Sequence, residues 1–184
     1  GLTFKSLAYS TDPKQFISEI VEEAKKVLVA SNTKEIKTQK LSEIALKTVD
    51  IKGVGFYSLG NYRKKLSEDQ LKEYLILFEK YFLKSFTSRL TDYSDPKINV
   101  ISTEVLSEKY TIVKSVLLAT DKRPEVKIEW RVYTKNPEKP LIRDLIIEGL
   151  SLARTQKEEF ASVIETNDGD VNKLFDTLKA FTAK

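Results

Sequence analysis

Asp144 and Glu148 are the residues whose type and spacing best suit chemistry in this sequence. They stand four apart on one face of a largely apolar strand. A carboxylate in an apolar pocket can have its pKa raised far enough to move a proton, as in some curved-sheet isomerases and dehydratases. The plainer reading pairs both with a cation, Arg131 or Arg143, and such carboxylate pairs are too common on strands to signal an enzyme alone. Composition removes most other chemistry. The 184 residues include no His and no Cys. That excludes Ser-His and Cys-His triads, histidine zinc sites, thiolate nucleophiles, iron–sulfur ligation and disulfides. Gly53, Gly55 and Gly60 are followed by no Gly-Lys-Ser/Thr, so they form no phosphate loop. The acidic pairs Asp92/Asp95 and Asp168/Asp170 lack calcium-loop spacing and read as caps or turns. No metal or cofactor is expected.

The net charge of +4 is a mild excess. Its Lys residues are spread along the chain as on a solvated surface, and neither a basic recognition helix nor an RNA-binding aromatic signature is present, so nucleic acid is not the expected partner. No apolar run approaches the ~18 residues of a membrane span. The length suits a single domain, 1–184, with a sizeable core. The chain lacks Met and begins at Gly1. An upstream segment is therefore expected to have been removed, either a signal peptide or an expression tag.

The elements that must position these residues read in three blocks: 1–95 mainly helical, 97–150 a sheet, and 155–182 helical. Asp12-Pro13 opens a first helix in N-cap and first-turn positions, and Phe16, Ile17, Ile20, Val21, Ala24, Val27 and Leu28 follow at helical spacing. A second helix is predicted over Lys34–Val49. A shorter glycine-bearing one spans Ile51–Lys64. Lys97–Ser107, Tyr110–Thr120, Val126–Lys135 and Leu141–Leu150 then read as four strands with short links, an antiparallel meander. In the third, Val126, Ile128, Trp130 and Val132 alternate with polar residues. In the second, Ile112 and Val116 oppose Val113 and Leu117; in the fourth, Leu145 and Ile147 oppose Ile142 and Ile146. Helices over Thr155–Thr166 and Asp168–Phe181 close an α+β chain.

One helix stands out. Ser67-Glu68-Asp69-Gln70 is a capping box, and after it come Tyr74, Phe78, Tyr81, Phe82, Phe86 and Tyr93, a third of the chain's aromatic residues. With Leu71, Leu75 and Leu90 they cover an arc of roughly 180°, against the ~100° that holds a simple surface helix on a core. Such a helix is either buried between two layers or lines something apolar that the protein encloses.

Three segments together resemble a known family. Leu59-Gly60-Asn61-Tyr62-Arg63-Lys64 runs into the aromatic helix; Arg123-Pro124 precedes the Val126–Arg131 strand; Asp144–Ser151 leads into the helix beginning Thr155-Gln156-Lys157-Glu158-Glu159-Phe160. In order and spacing, over roughly Val49–Leu178, they resemble the MlaC family of periplasmic phospholipid-binding proteins, auxiliary components of ABC transport systems. The resemblance implies a nuclear-transport-factor-2-like (NTF2-like) fold in which a curved four-stranded antiparallel sheet and helices enclose an apolar cavity. It also implies a carrier of phospholipid across the periplasm of a Gram-negative bacterium, between an outer-membrane lipoprotein complex and an inner-membrane ABC transporter.

Two acyl chains left in water would cost on the order of 20–25 kcal/mol. Hiding them takes a cavity of roughly 1,000 Å³. The expected tail-lining set is Tyr57, Leu59, Tyr74, Leu75, Phe78, Phe82, Val100, Ile112, Val116, Ile128, Trp130, Leu145, Ile147 and Phe160, with Tyr74, Phe78 and Phe82 on the lipid side of the aromatic helix, facing the sheet. Arg123 and Arg63 are the headgroup candidates. Two other readings stand beside the carrier: an NTF2-like enzyme using Asp144 or Glu148 on a small hydrophobic substrate, and an interaction module with a solid core.

Overall fold

The helix starts follow from local side-chain caps. In the computed structural model, which describes residues 8–184, the Asp12 carboxylate accepts the Gln15 amide at 3.0 Å and opens α1 (Pro13–Val29). Thr33 caps α2 (Lys34–Thr48), and Asp50, accepting from the Gly53 amide at 3.0 Å, caps α3 (Ile51–Leu59). Gly60 then takes a left-handed φ of 55° and turns the chain into a 3-10 segment, Gly60–Lys65; this is backbone space that glycine enters without strain. The capping box of Ser67 and Gln70 starts α4 (Glu68–Leu90) as predicted. The helix stops at Leu90, so Tyr93 lies beyond it in the connection to the sheet. Gly1 falls outside the described residues.

The sheet is an antiparallel meander in the order β1 (Ile98–Val105), β2 (Tyr110–Leu117), β3 (Val126–Tyr133), β4 (Leu141–Ile147) and β5 (Leu150–Ser151). The predicted fourth strand ran through to Leu150. In the structure Glu148 and Gly149 adopt φ of 50° and 81° and fold the last two residues back as a fifth short strand. Two successive positive φ values are what a tight two-residue hairpin turn requires. Helix α5 (Leu152–Glu165) begins directly after it, and Asp170 caps α6 (Val171–Thr182).

Register corrects one predicted face. Trp130 pairs with Leu145 and Arg131 with Asp144, but Val132 pairs with Ile142, leaving Arg143 as an extra residue. The bulge reverses the alternation of β4, because one inserted residue moves everything beyond it to the other face. Ile142 therefore shares the face of Leu145 and Ile147 instead of opposing them. Across β2, Val113 is opposite Trp130 and Ile112 opposite Arg131. Ile112 and Val116 consequently point away from Ile128, Trp130, Leu145 and Ile147.

The apolar interior is built as two clusters. In the first, Phe16, Ile17, Ile20, Val21 and Leu28 of α1, with Leu41 and Ile44 of α2, cover Val113, Trp130, Val132 and Ile142 of the sheet. The second is made of helices alone: Ile51, Val54 and Leu59 of α3, Tyr74 and Phe78 of α4, Phe160 and Ile164 of α5, and Leu174, Phe175 and Leu178 of α6. Tyr74 and Phe78 are 0% and 1% exposed. The Tyr74 ring stacks on Phe175 at 6.2 Å, and Phe78 meets Phe160 edge-on at 6.2 Å. Tyr74 donates its hydroxyl proton to the Gly55 carbonyl at 2.7 Å. Burial raises the Tyr74 pKa well above the ordinary tyrosine value, so the neutral, donating form is the one the fold holds.

The expectation that α4 turns Tyr74 and Phe78 toward the sheet does not hold. They pack on α3, α5 and α6, and the sheet's apolar face is served by α1 and α2. A wide apolar arc on α4 is what burial among several helices demands.

Close approach of α3 and α4 depends on Gly55. A Cβ there would lie 2.8 Å from Cδ1 of the Phe78 ring, a distance no relaxed contact shows. Gly55→Ala is expected to destabilise the chain by about 1–3 kcal/mol, the range of an overpacked core, measured by urea denaturation. Alkaline pH gives a second check. Tyr74 keeps its proton in the fold and loses it near pH ~10 when unfolded, so unfolding takes over more readily as pH rises above that value. Tyr74→Phe should make the fall in stability above pH ~10 shallower.

Candidate functional site

The carboxylates come first, because proton chemistry would rest on them. Asp144 accepts hydrogen bonds from the Ser151 hydroxyl and, at 2.9 Å, from the Ala153 amide in the first turn of α5. Ser151 caps the same helix through the Arg154 amide at 3.0 Å. Asp144 thus holds a helix start against β4. Glu148 lies outside the strand, in the exposed left-handed turn, and accepts from the Lys127 amide at 2.7 Å. The two carboxylates share no pocket.

The cations expected beside them are engaged elsewhere. Arg143 donates from Nε and Nη2 to one oxygen of Asp50, both at 2.9 Å, and from Nη1 to the Tyr110 hydroxyl at 2.8 Å. Burial works against its charge, but the bonds to Tyr110 and Asp50 outweigh it and hold its pKa above the usual value. Arg131 lies over the Tyr110 ring at 4.3 Å, and its Nε is buried with no hydrogen-bond partner among the described residues.

The second arrangement is an apolar surface left half covered. On α4, Tyr74, Phe78 and Thr87 are closed in, whereas Leu71, Leu75 and Leu77 in its first half and Phe82, Leu83, Phe86 and Leu90 in its second are half-buried. Phe82 and Phe86 stack at 5.6 Å with planes 9° apart. Phe82 and Leu83 lean on the helical cluster and Leu90 on the sheet cluster, so α4 bridges the two. On the sheet, Val113, Leu117, Trp130, Val132 and Ile142 are buried, while Val126, Ile128, Leu145 and Ile147 on the same face are half-buried.

The second half of α4 and the Val126 end of the sheet lie toward one end of the molecule. There the Leu118 amide donates to the Lys97 carbonyl at 2.9 Å, and the Arg123 guanidinium lies 5.3 Å from the Tyr93 ring. These contacts bring the segment after α4 against the β2–β3 connection. Apolar surface left in contact with water is unfavourable by roughly 25 cal/mol per Å², and a contiguous patch of it marks a place where something binds.

Two open grooves complete the picture. One, about 420 Å³, runs between Ser18, Val21 and Glu22 of α1 and Ile98, Asn99 and Val100 of β1. The other, also about 420 Å³, is lined by Gly53, Phe56, Tyr57, Gly60, Arg63, Arg143 and Lys157. Each is smaller than the roughly 1,000 Å³ that two buried tails require, and each is open to solvent.

The expected tail-lining residues therefore divide. Leu59, Tyr74, Phe78 and Phe160 are core of the helical cluster, with Leu75 and Phe82 on its edge. Trp130 is core of the sheet cluster and donates its indole N–H to the Ser115 hydroxyl at 2.8 Å; Val100, Ile128 and Leu145 lie on that cluster's edge. Ile147 is half-buried on the same sheet face, and Ile112 and Val116 are on the opposite one. Tyr57, 45% exposed, stands with Arg63 in the second groove, and Arg123 is at the open end beside Tyr93. Phe86, Leu90 and Ile98 join the half-covered surface without having been singled out as lining; the width of the α4 arc was the signal for the first two.

A five-stranded antiparallel meander, with helices packed on it and part of its apolar face uncovered, places the molecule in the NTF2-like class of α+β folds. Within that class the chain belongs to the MlaC protein family, whose sequence model matches residues 14–180. The structure is similar to that of a phospholipid-binding protein from Ralstonia solanacearum, solved in complex with a phospholipid. The two share 18% sequence identity, the match covers 91% of this chain and 94% of that one, and the TM-score is 0.76.

Removing the carboxylate tests the role of Asp144 as a helix anchor. Asp144→Ala leaves the Ala153 amide and Ser151 hydroxyl without their acceptor, and charged hydrogen bonds of this kind contribute about 1.5–3 kcal/mol. A loss of that size in chemical denaturation is expected, with fraying concentrated in α5 amide exchange.

Proposed function

We propose that this chain is a phospholipid carrier that holds acyl chains against the half-covered apolar surface between the C-terminal half of α4 and the open end of the sheet. The observation that carries the reading is that surface, at Phe82, Phe86 and Leu90 on one side and Val126, Ile128, Leu145 and Ile147 on the other, in a chain of the MlaC family. The Ralstonia neighbour, of the same fold, was solved with a phospholipid bound.

The mechanism is physical and involves no covalent step. Tails entering between the two clusters replace water on residues that the empty fold leaves half exposed, and each methylene buried contributes about 0.8 kcal/mol. The headgroup stays at the open end near Arg123. Tyr74 and Phe78 anchor α4 in the helical cluster, and Phe82 and Phe86 form the movable wall of the site. In this reading the protein works in the periplasm, taking lipid between an outer-membrane lipoprotein complex and an inner-membrane ABC transporter, and it is not an enzyme. The engagement of Asp144 at the start of α5 and of Glu148 in a surface turn supports that choice over an isomerase or dehydratase.

Organic extraction of natively expressed protein followed by mass spectrometry tests the proposal. Near-stoichiometric phospholipid is expected. Phe86→Glu and Ile128→Glu should each cut the bound lipid several-fold while circular dichroism stays unchanged. Val116→Glu, on the opposite sheet face, should leave lipid content intact. Protein free of lipid, or equal losses in all three variants, would remove the proposal.

A further inference from the structure

The groove beside α3 is a charged surface that the lipid reading does not use. Its cations are held in place by aromatic rings. The Arg63 guanidinium lies 3.8 Å from the Phe56 ring centroid, with the Lys52 ammonium over the same ring at 5.8 Å. The Lys157 ammonium sits 5.1 Å from the Tyr57 ring. Gly60 makes the last placement available, since a Cβ there would come within 2.9 Å of the Lys157 Cε. Arg143 continues the surface onto the sheet, stacked on Tyr133 at 3.5 Å.

Asp50 is the one carboxylate bonded to a cation in this set, and it serves Arg143. Among the described residues Lys52, Arg63 and Lys157 form no ion pair. Cations resting on rings keep their N–H groups free while losing little side-chain freedom on binding.

We propose that this groove is a docking site for an acidic segment of a partner polypeptide. Its form favours that occupant over a single phosphate group. A phosphate site converges several donors on one point, whereas here the cations are spread over separate rings, Phe56, Tyr57 and Tyr133, and the Nε and both terminal nitrogens of Arg143 are already bonded to Asp50 and Tyr110. Separate cations beside the exposed Tyr57 ring and the half-buried Phe56 ring match a chain that alternates carboxylates with apolar side chains. Arg and Tyr are also the residue types that concentrate binding energy at protein interfaces. The groove shares no residue with the half-covered apolar surface, so the proposal stands or falls apart from lipid carriage.

The probe is a fluorescein-labelled decapeptide of alternating Glu and Leu, titrated with the full chain at low salt and followed by anisotropy. Saturable binding that weakens as salt rises is expected, with amide shifts in ¹H–¹⁵N spectra confined to residues 53–63 and the surroundings of Lys157. The double variant R63E/K157E should lose at least tenfold in affinity, and the charge-matched K26E/K122E should not. R63Q/K157Q, expected to weaken binding at least threefold, serves if the charge reversal unfolds the chain, which a thermal melt reports. Co-purified lipid should be the same in all of them. Absence of saturable binding, equal losses in the two charge-reversal variants, or shifts mapping to α4 and the sheet would overturn the proposal. So would binding to phosphatidylglycerol vesicles that needs Arg63 and Lys157 when the peptide does not bind, because the occupant would then be a membrane.

Discussion

The Phe78 ring resting on the bare backbone of Gly55 decides where the rest of the molecule can lie. That contact lets α3 and α4 approach closely enough for the Tyr74 hydroxyl to reach the Gly55 carbonyl. With both aromatics closed in by α5 and α6, the first half of α4 is committed to the helical cluster. A helix is stiff, so its second half must run wherever that direction takes it. It runs to the sheet cluster, which Leu90 touches, and Phe82 and Phe86 lie half covered between the two.

Val49 packs against both clusters, and polar contacts join them beside it. At the α2–α3 junction the Asp50 amide donates to the Ile142 carbonyl at 2.9 Å, and the Asp50 carboxylate both caps α3 and holds Arg143. Asp144 ties β4 to the start of α5. These links are polar and lie along β4, with the bulge at Arg143 aiming the guanidinium at Asp50. Asp144, which sequence alone offers as a proton-transfer group, is thus bound into the joint between helices and sheet. A carboxylate so engaged is stabilised as an acceptor and is poorly placed to meet a substrate.

Local chemistry was the legible part of the fold. Asp12, Ser67 with Gln70, and the turn residues set element boundaries because each acts within four residues of itself. Features that depend on partners were not legible. The arc on α4 said that nearly half its circumference is apolar, and it could not say which helices would cover it. Ile142 changed sides because one residue, Arg143, is left out of register, and no property of the Leu141–Ile147 sequence marks that position. Leu150 was lost to a fifth strand because Glu148 takes a left-handed φ that non-glycine residues seldom adopt. For the candidate site, apolar residue type does not separate core from wall; that needs the pattern of burial, which exists only once the clusters are assembled.

That pattern bears on how a carrier can both hold and release its load. A fully closed cavity would have to break dense packing to open, and large apolar residues lost from such packing cost several kcal/mol each. On the carrier reading, the helical cluster pays no part of that cost, since Tyr74 and Phe78 need not move. What separates is the sparser set of contacts around Phe82, Phe86, Leu90 and the half-buried end of the sheet. The aromatic excess of α4 then has two uses divided along its length: rings in its first half fix the helix, and rings in its second half present apolar surface that neighbouring elements do not fill. A helix with only the usual stripe could do one of these, and the extra width is what allows both.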